Sequence, residues 1–124
     1  MGADRRERVG RAGEEAACRR YRALGYRIVA RNWRCALGEI DLVAERRGTL
    51  VLCEVKTRSG GAFGGPFEAV TASKRRRLRA LAAAFLEASR GESGGGWLDV
   101  RFDVASVTLD PGDAPRVHVF EDAF

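Results

Sequence analysis

The chain has 124 residues, of which 45% are hydrophobic; this suits one globular domain with a single core and is too short for two. No run approaches the roughly 20 apolar residues that a bilayer-crossing helix needs, and no apolar segment follows the charged start M-G-A-D-R-R-E-R, so neither a membrane span nor a signal peptide is expected and the chain reads as cytoplasmic. A net charge of +5 favours polyanionic partners, nucleic acid first.

Residues 1 to 9 are charged and expected to be loose. A first helix is expected from about Gly10 to Leu24, stopped by Gly25. Glu14, Ala17, Tyr21 and Leu24 recur at spacings of three, four and three, forming one stripe that faces a sheet. Glu15 falls instead with Arg19 and Arg22 on the solvated side, where the order Glu15 then Arg19 is favourable. Of two adjacent glutamates, Glu14 is the one aimed inward. Cys18, Cys35 and Cys53 are odd in number and far apart, with His118 as the sole imidazole; they read as reduced thiols rather than a disulfide or zinc set.

Tyr26 to Arg34 reads as a first strand, followed by hairpin strands at about Glu39 to Glu45 and Thr49 to Arg58. Ile40, Leu42 and Ala44 alternate with Asp41, Val43 and Glu45, and T-L-V-L-C-E-V-K-T-R is an apolar, β-branched run. With Arg47-Gly48 in the turn, partner numbers sum to 95, which places Asp41 opposite Glu54. Like charges directly opposite destabilise a sheet, so the arrangement requires a cation or a shared proton between them. Lys56 shares a face with Glu54, because strand side chains repeat every two residues. The hairpin is therefore read as an oxygen-rich metal site with an ammonium beside it. Of 22 lysines and arginines only Lys56 and Lys74 are lysines, which suggests that a compact, donor-flexible ammonium is wanted at those positions.

The glycine-rich S-G-G-A-F-G-G-P from Ser59 to Pro66 follows directly and reads as a plain linker or a loop that contacts substrate. A second helix is expected to start within Phe67 to Ser73, capped by Thr71 or Ser73, and to end at Gly91. Leu78, Leu81, Phe85 and Ala88 form its apolar stripe, which Lys74 extends. After the flexible Gly91 to Gly96, a long strand runs from Trp97 to Leu109 and a short one from Arg116 to Phe120. Asp103, within the long strand, reads as either a group that supports the site from behind or, preferred, the partner of an arginine, and His118 as a sheet-face residue rather than a ligand.

Two basic clusters resemble a phosphate-binding footprint: Arg31, Asn32, Trp33 and Arg34, and the helix start with Lys74, Arg75, Arg76, Arg77 and Arg79. Trp33 reads equally as a core anchor. Arg58 joins the set at the end of the third strand.

The order helix, strand, hairpin with D41…E54-V-K56, helix, strand resembles the PD-(D/E)XK nucleases, among them restriction endonucleases and archaeal Holliday-junction resolvases. Within that superfamily the chain is similar to the YraN family, through G13-E14-x-A16-A17, G25-Y26, R31-N32-W33-R34, G38-E39-I40-D41-L42, E54-V55-K56-T57-R58, F63-G64, V70-T71, K74 and R101-F102-D103-V104. The resemblance implies an α/β, restriction-endonuclease-like core: a mixed central β-sheet flanked by helices, in the order α-β-β-β-α-β-β. It implies that Asp41 and Glu54 bind magnesium, that Lys56 orients or activates water, and that Glu14 joins them as in resolvase-like members. The proline that names the superfamily is replaced by Ile40.

Octahedral oxygen coordination of Mg²⁺, with Mn²⁺ as an alternative, would be supplied by Asp41, Glu54, the Val55 carbonyl and Glu14. The activity so implied is a metal-dependent, structure- or strand-selective DNA endonuclease, with a homodimer and a DNA-processing protein partner compatible with it. The rival reading is a non-catalytic nucleic-acid-binding module that keeps the fold.

Overall fold

The computed structural model describes residues 2–59, 71–90 and 96–124, with side chains from residue 5 onward. The elements run α1 (Gly2–Ala23), β1 (Arg27–Cys35), β2 (Gly38–Arg46), β3 (Thr49–Ser59), α2 (Ala72–Ala88), β4 (Asp99–Leu109) and β5 (Arg116–Phe120). Together they make an α/β fold with one five-stranded sheet in the order β1-β2-β3-β4-β5. Neighbouring strands are antiparallel except β3 and β4, which run parallel from Thr49↔Asp99 to Ser59↔Leu109. A parallel pair needs a crossover, and α2 lies in it.

The two helices cover opposite faces. On one, Ala17, Cys18 and Tyr21 of α1 pack on Leu42, Ala44, Val51, Cys53, Ala105 and Val107. On the other, Leu81, Ala82 and Phe85 of α2 pack on Ile40, Val43, Leu50 and Leu52. Residues 50 to 53 alternate cleanly between these two cores, so β3 is buried on both sides, as its near-continuous apolar run requires. Gly13 lets α1 approach β3 closely: a Cβ there would collide with the Thr57 side chain.

Both helices start or end differently from what the sequence predicts. α1 is helical from Gly2 rather than Gly10; Arg, Glu and Ala are good helix formers that extend a helix without a buried stripe. Its end is as expected: Gly25 has φ of +90°, and Tyr26 N donates to Tyr21 O at 2.9 Å, a Schellman-type stop. α2 is capped by Thr71, whose Oγ1 accepts from Lys74 N at 3.0 Å, but it finishes at Ala88 with Ser89 as cap rather than at Gly91. Its buried residues are Leu81, Ala82 and Phe85, while Ala88 is exposed. Leu24, expected to close the α1 stripe, is exposed as well. The long strand begins at Asp99, leaving Trp97 to pack in the α2-side core. Segments 60–70 and 91–95, which hold most of the two glycine-rich connections, lie outside the described residues.

The β2–β3 hairpin has the expected register, with Leu42↔Cys53, Val43↔Leu52 and Arg46↔Thr49. The ladder stops at Leu42↔Cys53, and β2 continues toward Gly38 paired with β1 alone. At that point the strict two-residue alternation also fails. Ile40 and Val43 are an odd number of residues apart, yet both lie in the α2-side core, as do Ala30 and Trp33 on β1. On β1 the register shifts between Ile28 and Ala30, and Asn32, between the pairs Arg31↔Leu42 and Trp33↔Ile40, has φ of +51°, a left-handed conformation that asparagine tolerates better than most residues. The sheet therefore forks between β2 and β3, and Asp41 stands in the fork.

Candidate metal centre and phosphate face

Asp41 is held in the fork by one main-chain contact: its Oδ2 accepts from Val55 N at 2.8 Å. The expected Asp41–Glu54 cross-strand pair is thereby replaced by a side chain reaching across the gap, and Val55 enters the site through its N–H. Around Asp41 the carboxylates accumulate. One oxygen each from Glu14, Glu39 and Asp41 lie within 4.8 Å of one another. They come from α1 and from two positions of β2. Burial is the main force that pushes the Asp41 carboxyl up to about 6, against the Val55 hydrogen bond, and the charges of Glu14, Glu39 and Glu54 add to the rise.

Glu39 is absent from the site that the sequence predicts. Its signal was there: Glu39 and Asp41 are two residues apart on one strand, the same spacing that links Glu54 to Lys56. Asn32 ties the cluster together. With its amide turned so that nitrogen meets acceptors, Nδ2 lies 2.7 Å from Glu14 Oε2 and 3.0 Å from Glu39 Oε1.

Glu54, expected among the metal ligands, faces ammoniums instead. Its Oε1 is 3.4 Å from Lys56 Nζ and its Oε2 is 3.2 Å from Lys74 Nζ. It points to the α2 side, as its alternation with Leu52 requires, whereas Glu14 comes from the α1 side. The two carboxylates approach Asp41 from opposite faces of the fork. Lys74, from the first turn of α2, is only 19% exposed, and its Nζ sits 5.1 Å from the centre of the Phe124 ring. Its inward placement on the helix stripe agrees with the sequence.

The two basic clusters part company. In the first, Arg31 Nη1 is 3.0 Å from Glu15 Oε2 and holds that carboxyl below its ordinary value; Arg34 is 3.5 Å from Glu39. Trp33 packs edge-on against Phe85 with centroids 5.3 Å apart, and Asn32 belongs to the acid cluster. In this segment both arginines are exposed and each is ion-paired with a carboxylate. In the second, Arg75, Arg76, Arg77 and Arg79 lie along α2; Arg75, Arg76 and Arg79 are exposed, and Arg77 lines the cleft beside the fork. Arg58 is half-buried on β3 opposite Thr108.

Away from the fork, Asp103 is fully buried and pairs with Arg101 through two contacts of 2.9 Å. Tyr21 Oη donates to it at 2.7 Å and Asp122 N at 3.0 Å. His118 is exposed with its ring against Phe120. All three cysteines are free, and burial pushes the Cys53 thiol up to about 12. No helix among the described residues is long and apolar enough to cross a membrane.

Comparison with known proteins covers the whole of this site. Residues 13–107 match the family described as "Uncharacterised protein family UPF0102". The chain is 46% identical over 119 residues to a UPF0102 protein of Nocardia farcinica, covering 96% of this chain and 91% of that one. It is 48% identical over 117 residues to a UPF0102 protein of Symbiobacterium thermophilum, covering 94% and 96%. A UPF0102 protein of Streptomyces coelicolor is 47% identical over 119 residues, with 94% and 89% covered. Such identity, over a span that runs from α1 through the fork to β4, means that the chain belongs to the UPF0102 (YraN) family.

Proposed function

We propose that this protein is a metal-dependent nuclease that hydrolyses phosphodiester bonds in DNA, selecting branched or otherwise structured substrates, on a PD-(D/E)XK fold. The observation that carries the reading is the convergence of Glu14, Glu39 and Asp41 within 4.8 Å at the sheet fork, beside the lysine pair on Glu54. Three carboxylates packed so closely repel one another, and that repulsion adds to burial in raising the Asp41 carboxyl. A hard divalent cation relieves it, and all-oxygen donors suit Mg²⁺ or Mn²⁺. Glu14, Glu39 and Asp41 would hold the ion, which when bound supplies charge neutralisation at the phosphate and a more acidic water.

The chain's own residues supply the rest. Glu54 holds Lys56 Nζ and Lys74 Nζ on either side of its carboxylate, fixing where two ammoniums stand. Lys56 Nζ, as an ammonium held by Glu54, would orient the attacking water, whose proton passes to solvent. Lys74 Nζ would meet a non-bridging phosphate oxygen as charge develops there. Arg75, Arg76 and Arg79, exposed on α2, would follow the strand backbone.

The pairing of Glu54 with two ammoniums also favours a second reading, a non-catalytic nucleic-acid-binding protein that retains the nuclease fold, since a neutralised Glu54 needs no metal. Purified protein incubated with Mg²⁺ or Mn²⁺ on duplex, single-stranded, flap and four-way DNA separates the two. Cleavage that EDTA and Asp41→Asn both abolish supports the nuclease. Binding to the same panel without cleavage under any metal supports the second reading.

A further inference from the structure

Where β2 leaves β3, a cleft of about 230 Å³ opens between the fork and α2. Its charged side carries Lys74 and Arg77, next to Asp41 and Glu54; its other side is apolar, with Leu37, Leu78, Phe102 and Phe124. We propose that this cleft binds one unpaired nucleobase of a DNA strand whose backbone passes along the start of α2. The proposal deepens the phosphodiester reading and rests on it.

Size comes first. Pockets that enclose drug-sized ligands run from roughly 300 to 1,000 Å³, so this cleft suits one flat ring system and not a whole nucleotide pair. The chemistry of its walls agrees. The Phe102 ring lines the cleft and offers an aromatic surface on which any base stacks, independent of sequence, while the Phe124 ring has Lys74 Nζ 5.1 Å from its centre. Lys74 and Arg77 offer cations where the phosphate attached to that base would lie, and an apolar floor would reject the phosphate itself.

Glu54 adds a specific sign. Its Oε2 is buried and has no hydrogen bond, although Lys74 Nζ lies 3.2 Å away. The ammonium pairs with this oxygen by charge without a well-directed hydrogen bond, so an N–H donor from a ligand would complete it. Every nucleobase carries an N–H donor on its Watson–Crick edge, and only an unpaired base has that donor free. Leu37, at the turn before β2, is 52% exposed at the cleft, where a bound base would cover it. A paired and stacked duplex can satisfy none of these groups without extruding a base.

Fluorescence anisotropy with labelled single-stranded DNA tests this, using Ca²⁺ in place of Mg²⁺ so that cleavage plays no part. The comparison strand has the same length and charge but consists of abasic sugar phosphates. Wild type should bind the base-bearing strand about tenfold more tightly, the scale of a single stacked base. Leu78→Trp, which fills the cleft, should remove that difference by weakening the base-bearing strand alone. Leu37→Ser, at an exposed position that threatens no core and with no change of charge, should do the same.

Equal affinity of wild type for the two strands would overturn the proposal, as would discrimination that survives both substitutions. The nuclease reading fails on separate grounds. Base discrimination with no cleavage of any substrate in Mg²⁺ sinks the nuclease and spares the cleft; cleavage without discrimination does the reverse.

Discussion

Asp103 and Asp41 are both withdrawn from solvent within one sheet, and the protein treats them oppositely. Asp103 on β4 receives two bonds from Arg101, one from Tyr21 and one from Asp122 N, so each oxygen is satisfied and the charge is matched. Asp41 on β2 receives one bond from Val55 N and is surrounded by the carboxylates of Glu14, Glu39 and Glu54. No arginine or lysine is paired with it among the described residues. Asp103 is neutralised from within the fold; Asp41, among the described residues, is not. The contrast separates a structural acid from a candidate ligand-binding one more sharply than burial does.

The largest effect expected is on chemistry. Lys56→Ala should lower turnover by about 10²-fold, the scale on which misplacing a reacting group costs, while DNA affinity and folding stay near wild type. The fold should tolerate it, because the Lys56–Glu54 pair is 42% exposed on the lysine side and such pairs contribute at most about 1 kcal/mol. Single-turnover cleavage beside a binding titration reads both quantities. Unchanged turnover would remove Lys56 from the mechanism.

Asp103→Ala should act on the other side of the comparison. It strips Arg101 of its two-bond partner and leaves Tyr21 without an acceptor, and breaking a buried pair this way costs about 3–5 kcal/mol. Urea denaturation should show that loss. Metal affinity of the fraction still folded should be unchanged; a variant of wild-type stability would mean that the network holds nothing together.

Asp41→Asn should do the reverse and stabilise the metal-free protein. The native carboxyl titrates at about 6 against an ordinary 3.8, so the folded state binds this proton more tightly than the unfolded chain. Stability from this group is therefore full below pH 3.8, falls as pH rises through 6, and is flat above. At ~1.4 kcal/mol per pH unit the loss is at most about 3 kcal/mol, less the screening by solvent that reaches this half-buried group. The amide carries no charge, and its oxygen can still accept from Val55 N. In EDTA, melts across this range should show the variant gaining on wild type only as pH rises, while Mg²⁺ should raise the wild-type Tm alone. Parallel pH curves would contradict the account.

These variants rest on features of very unequal visibility in the sequence. The hairpin register was legible because a two-residue turn fixes partner numbers, and Leu42↔Cys53 confirms it. Glu14 was legible from helical spacing, the Thr71 cap from residue chemistry, and the Asp103–Arg101 pair from the cost of a charge in an apolar strand. The fork was not. Period-two reasoning assumes an uninterrupted pleat, whereas β1 carries a register shift between Ile28 and Ala30 and a left-handed Asn32, Ile40 lies in the α2-side core, and the β2–β3 ladder stops at Leu42↔Cys53. The two-residue spacing of Glu39 and Asp41 is in the sequence, but the approach of both to Glu14 and the ion pairs of Glu54 with Lys56 and Lys74 come only with the fold. The ion pairs of Arg31 with Glu15 and of Arg34 with Glu39 were not legible for a related reason: the carboxylate partners are brought near only by the fold.

The smallest effects, residue by residue, belong to the surface of α2, where the comparison becomes one between Lys74 and its arginine neighbours. Arg75, Arg76 and Arg79 are exposed and are expected to meet phosphates without reading sequence. Reversing all three to glutamate should weaken DNA binding on every sequence alike and lower the slope of log affinity against log salt by about 0.9 for each phosphate no longer neutralised. Lys74 is engaged inward, 3.2 Å from Glu54 Oε2 and 5.1 Å from the Phe124 ring centre. Lys74→Ala should therefore leave the salt slope nearly intact and lower cleavage of bound substrate, since it removes a charge placed beside the reacting phosphate and frees one Glu54 oxygen. Salt titrations of both variants, with single-turnover rates measured at saturating protein, separate the two roles. A Lys74→Ala protein that loses affinity and slope like the arginine reversals, with turnover of bound DNA untouched, would place Lys74 among the solvated helix cations and leave Glu54 with Lys56 as its one functional partner.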